Sequence, residues 1–182
     1  MSQAIGMTEY QTVSSGVKAA DIMVKTADVD VIEAQVVCPG KYIVLITGEL
    51  SAVRAAVDAT KATFAEKQID EFVLGNPDES VIPAIYGVNE ITNKSALGVL
   101  ETYSCAAMMV AADTAAKTAE VELIELRLAR GMCGKSYMLI TGEVAAVTAA
   151  IEKAERSAGD KGMFLDSSII ASPDEKVWET IL

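Results

Sequence analysis

Hydrophobic spacing along the first 75 residues changes period four times. AIGMTEYQ, from residue 4, reads as a strand, and SSGVKAADIMVKTA then shifts to helical spacing, with Val17, Ala20, Met23, Val24 and Ala27 on one face. Ser14 or Ser15 is placed to cap that helix. VDVIEAQVV alternates as a strand, CPGK makes a turn, and YIVLITG is a continuous apolar strand. A second helix follows, with Val53, Ala56, Val57, Thr60 and Phe64 sharing a face and Ser51 as its expected cap, before EFVL closes the segment as a fourth strand. The predicted order is β-α-β-β-α-β, the split βαβ arrangement of ferredoxin-like α+β folds.

The pattern then repeats. AADIMVKTADVDVIEA at 19–34 returns as AADTAAKTAEVELIEL at 111–126, an offset of 92. GKYIVLITGELSAVRAAV at 40–57 returns as GKSYMLITGEVAAVTAAI at 134–151, an offset of 94, and NPDE at 76–79 returns as SPDE at 172–175, an offset of 96. A period near 90 residues is the size of a small domain and too long for a solenoid repeat, so the chain reads as a tandem duplication. The expected domains are 1–90 and 96–182, joined by the polar segment GVNEITNKS at 87–95.

Composition narrows the function. With 15 basic against 26 acidic residues the net charge is −11, which argues against nucleic acid, because phosphate binding needs clustered Lys and Arg. No apolar run approaches the roughly 18 residues of a membrane span, and the N-terminus lacks a secretory pattern, so a cytoplasmic protein that binds no membrane is expected. The chain has no histidine, which removes Ser-His-Asp and Cys-His catalysis and leaves cysteine or carboxylate as metal ligands. Its three cysteines, Cys38, Cys105 and Cys133, are too few and too widely spaced for a disulfide framework.

Candidate chemistry concentrates in the turn after the second strand of each half. ARGMCGKS at 129–136 nearly matches a phosphate-binding loop, but Ala129 replaces the first glycine and an apolar strand follows where that loop needs a helix. Nucleotide binding is therefore not expected. With the Gly-Lys pairs aligned, Cys38 stands opposite Met132 and Cys133 opposite Pro39, so both turns carry sulfur at different places. Cys105 opens an apolar helix, where a free cysteine serves as a small hydrophobe. The recurring acids Glu9/Glu101, Asp21/Asp113 and Glu33/Glu125 are expected on solvated faces and helix ends, and Lys25 and Lys117 at helix C-termini.

The blocks AIGMTEY, AADIMVKTADVDV and GELSAV, and their copies ALGVLET, AADTAAKTAEVEL and GEVAAV, resemble the bacterial microcompartment shell domain, whose pattern runs ALGxIET, AADxMxKxAxV, GDVxAV. The resemblance covers nearly the whole chain twice, in the standard order without circular permutation. It implies a homotrimer whose six domains form a pseudohexameric shell tile that assembles with other tiles. Residues Pro39, Gly40 and Lys41, and Gly131, Met132, Cys133, Gly134 and Lys135, would line a central pore, with Lys25 and Lys117 at the tile edge. One departure is clear: Asn76 and Ser172 stand where many shell domains have an edge-packing Arg.

VVCPGKY and the late Trp178 look most like the iron-sulfur trimers of propanediol-utilization compartments. That likeness implies one 4Fe-4S cluster per trimer on the threefold axis, with Cys38 as the ligand from each chain. Such clusters are held by thiolates, normally four, so three Cys38 side chains would leave one iron for an exogenous small ligand. Lys41 and Lys135 would offset its charge, and a redox enzyme in the lumen or cytosol would exchange electrons with it. The alternative is a tile with an open metabolite pore, no cluster and Cys38 as a free thiol; neither reading is an enzyme.

Overall fold

A computed structural model describes residues 4–182. The described chain divides into two compact units, each discontinuous in sequence: 4–77 with Ser104–Ala107 and Ala129–Lys135, and Asp78–Tyr103 with Met108–Leu128 and Ser136–Leu182.

The first unit contains β1 (Ala4–Tyr10), α1 (Val13–Thr26), β2 (Val29–Val37), β3 (Lys41–Gly48), α2 (Leu50–Phe64) and β4 (Gln68–Leu74). The antiparallel sheet runs β2-β3-β1-β4, the predicted split βαβ order. The predicted stripe of α2 is buried throughout: Val53, Ala56, Val57, Thr60 and Phe64. The apolar members pack with Ala19 and Met23 of α1 and with Tyr10, Val44 and Ile46 of the sheet. Each large side chain so removed from water contributes about 1.5–3 kcal/mol, and the Tyr10 and Phe64 rings add an edge-to-face contact at 5.5 Å.

The helix starts differ from expectation. Ser14 and Ser15 lie inside α1, whose N-cap is Thr12 with no side-chain cap bond. Ser51 lies inside α2, which begins one residue earlier with Glu49 as N-cap. The face of α1 is also narrower than its spacing suggests, since Met23 is buried but Val17 and Val24 are exposed. Gly16 explains part of this: a Cβ there would come within 2.3 Å of the Tyr42 ring, so the helix lies directly on that residue.

The second unit repeats the plan with β5 (Ala96–Thr102), β6 (Val121–Leu128), β7 (Ser136–Gly142), α5 (Val144–Gly159) and β8 (Phe164–Ile170), in the order β6-β7-β5-β8. Helix α4 (Cys105–Thr118) begins in the first unit and continues in the second. Two short helices extend the expected pattern: α3 (Val81–Ile85) and α6 (Glu175–Ile181). Trp178 of α6 packs with Leu97 and Ile124. The polar segment 87–95 is tied down, because Asn89 donates to the Ser80 and Leu123 carbonyls at 2.9 Å and the Thr92 and Asn93 N–H groups donate to Glu122.

Candidate functional site

The turn carrying Cys38 and the segment carrying Cys133 lie side by side in the first unit. The Cys38 N–H donates to the Ala129 carbonyl at 3.0 Å, and the Lys41 ammonium donates to the Gly134 carbonyl at 2.8 Å. Gly134 sits so close that a Cβ would meet Lys41 Cε and Pro39 Cδ at 3.1 Å, and its φ of +89° also favours glycine. Cys38 is half-buried beside a surface depression of about 390 Å³ that also involves Val36, Pro39, Gly40 and Arg130. The Cys38–Pro39 peptide is cis.

The two turns reverse the chain by different means. Cys133, opposite Pro39 in the alignment, has φ +52°, and Ala129 has φ +53°. For residues with a Cβ this left-handed conformation costs about 1–2 kcal/mol each. Cys133 is exposed, whereas Cys105 is fully buried as its apolar helix requires. The strand β7 follows 129–135 directly where a phosphate loop needs a helix, so the likeness has no structural counterpart.

Behind the Cys38 turn is a buried charge that pattern reasoning placed in solvent. Glu9 is fully buried and forms an ion pair with Lys41, which is itself largely buried. Its second oxygen accepts from the Cys105 N–H at 2.9 Å. The charge of Lys41 is thus matched inside the unit, so the electrostatic offset expected of it at a pore is already used by Glu9. The signal for this arrangement was the Glu-Lys pair recurring in both halves, but its burial depends on contacts remote in sequence. Asp113 is likewise buried, accepting from Lys117 at 2.7 Å and from the Asp78 N–H at 2.8 Å. Lys25 and Lys117 do stand in the last turns of α1 and α4, and Lys25 pairs with the exposed Asp21.

Two copies of one split βαβ sheet, each with a glycine-containing turn after its second strand, are the plan of a shell-forming domain. The chain belongs to the BMC domain family, whose model matches residues 4–77 and 96–173, and so is a component of a bacterial microcompartment shell. It is 37% identical to the bacterial microcompartment shell protein PduT of Citrobacter freundii, over 100% of this chain and 99% of that protein. A crystal structure of a microcompartment protein from Desulfitobacterium hafniense DCB is 42% identical, with a TM-score of 0.86 over 98% of this chain and 99% of that one. The fused permuted hexameric shell protein of the RMM microcompartment shares the fold, with a TM-score of 0.66 at 18% identity over 87% of this chain and 82% of that one. No helix among the described residues is long and apolar enough to cross a membrane.

Proposed function

We propose that three copies of this chain form a pseudohexameric shell tile, with non-permuted domains at 1–90 and 96–182 and a central pore lined by the 38–41 and 131–135 turns. One 4Fe-4S cluster is held there by the three Cys38 thiolates, and when bound it supplies one-electron transfer across the shell to a redox enzyme. The tile is structural, meets other tiles along edges carrying Lys25 and Lys117, and catalyses no reaction of its own.

The carrying observation is the fixed setting of Cys38. Its backbone is anchored to Ala129, and three residues on Lys41 is tied to Glu9 and Gly134, so the half-buried thiol is held in place before any ligand arrives. Among the described residues no group of three or more His, Cys, Asp or Glu within one chain could hold a metal ion, and the thiolate set proposed at this turn draws one Cys38 from each of three copies. A thiol presented by a rigid turn suits that donor set. The PduT likeness covers the whole length and includes this turn.

Anaerobically purified protein should be brown and contain iron and sulfide, and Cys38→Ser should be colourless while sedimenting as a trimer. Cys133→Ser should keep the colour. Colour that survives Cys38→Ser sinks the ligand assignment, and a colourless wild-type trimer in iron-replete anaerobic cells would favour the open metabolite pore.

A further inference from the structure

Glu9 is a fully buried carboxylate at the centre of a polar junction behind the Cys38 turn. Its Oε1 pairs with the Lys41 ammonium, and its Oε2 accepts from the Cys105 N–H at 2.9 Å. The same ammonium donates to the Gly134 carbonyl at 2.8 Å. The Glu9 side chain has no exposed surface and that of Lys41 is 12% exposed, so water screens their attraction weakly.

Three backbone segments of the first unit therefore meet on one ion pair: the 38–41 turn, the 129–135 segment and the start of α4. The start of α4 is also held independently of Lys41, since the Ser104 hydroxyl donates to Asp70 at 2.6 Å and its oxygen accepts from the Ala107 N–H at 2.9 Å. That makes it the fixed end of the junction. The Cys38 turn is the dependent end. Its bond from the Gly40 N–H to the Val37 carbonyl, at 2.9 Å, is internal and sets only its shape. Its bond from the Cys38 N–H to Ala129 ties it to a segment that itself hangs from Lys41 through Gly134. The twins Glu101 and Lys135 are both half-buried, so the enclosed pair is particular to the half that carries Cys38.

We propose that Glu9 and Lys41 are the positioning residues of Cys38 and act by geometry, not by lending charge to the site. Glu9 is the anchor, Lys41 the strut, and together they fix where the two turns stand against each other. The inference rests on the cluster reading above only for what the thiol holds, because the positioning is a property of the iron-free chain.

The test is the iodoacetamide alkylation rate of each cysteine in the reduced, iron-free full chain, followed by peptide mass spectrometry. Cys133 is exposed, Cys38 half-buried and Cys105 fully buried, so the three thiols report the 129–135 segment, the turn and the whole fold. Glu9→Gln with Lys41→Met removes both charges together and keeps an acceptor for the Cys105 N–H, which avoids a lone buried charge. The Cys38 rate should rise about tenfold, the range for a lost charge-assisted hydrogen bond, while Cys105 stays unreactive. Lys41→Arg keeps the charge but changes its shape and reach, and it too should raise the Cys38 rate. A Cys38 rate equal to wild type in both variants overturns the positioning role, and so does a rise that Cys105 shares. In the iron-loaded protein the double variant should lose iron to a chelator about tenfold faster at an unchanged midpoint potential. A lowered potential with a wild-type Cys38 rate makes Lys41 a charge donor and overturns the geometric role. A wild-type chain that never takes up iron overturns the cluster reading, and the alkylation rates then still decide the positioning.

Discussion

Helices α1 and α4 descend from one segment and now occupy opposite environments. From Cys105 to Ala115 nearly every residue of α4 is buried, whereas α1 buries only Ser15, Gly16, Ala19 and Met23. Their sequences diverged accordingly, because α4 is filled with Ala and Met while α1 keeps Ser, Lys and exposed Val. Duplication has left one copy of the helix enclosed and the other open to solvent.

Substitutions at paired positions turn this contrast into measurements. The largest difference is expected between Met109 and its twin Val17. Met109→Asp puts an unpaired charge in the core and should cost more than about 3 kcal/mol in urea unfolding. Val17→Asp should change the stability of the single chain by less than about 0.5 kcal/mol. Equal unfolding losses at the two sites would erase the distinction.

Next comes the buried acid. Glu9→Gln leaves Lys41 largely buried without its partner charge, which should cost about 3 kcal/mol or more. Glu101→Gln should cost the isolated chain much less, since Glu101 is only half-buried. Denaturant midpoints of the two variants give the comparison directly.

Packing sizes are exchanged between the halves. Gly16 lies under the Tyr42 ring, and the equivalent positions hold Met108 and Ser136, both fully buried, so the large side chain has moved from strand to helix. Gly16→Ala should therefore destabilise by about 1–3 kcal/mol despite alanine's better helix propensity. Thermal melting that rises with Gly16→Ala would show that the ring yields.

The smallest effect is at high pH. Burial, reinforced by the hydrogen bond to Glu125, pushes the Tyr137 phenol up to about 12, where the first unit has Ile43. The stability it contributes is complete below the ordinary tyrosine value of about 10 and is lost as pH rises through the folded value. Burial also raises Tyr10, so spectrophotometric titration should show late phenols, with one fewer in Tyr137→Phe.

Much of the fold was legible because period-2 and period-3.6 patterns are local. The four strands of each half, the buried face of α2 and the strand after ARGMCGKS all follow from spacing, and duplication checks each against a second copy. The helix caps were not legible, because several serines competed and the chain used Thr12 and Glu49 instead. Nor was the burial of Glu9, since nothing local distinguishes it from an acid on a solvated face.

By itself the sequence determined that the chain is one domain written twice, that Cys38 occupies a turn, and that Cys133 is its displaced counterpart. Tertiary structure alone decided that these turns lie side by side, that Lys41 is committed to Glu9, and that α4 is enclosed while α1 is open. The reason is physical: periodicity records which face of an element is apolar, but burial and charge pairing depend on what the distant chain brings against that face.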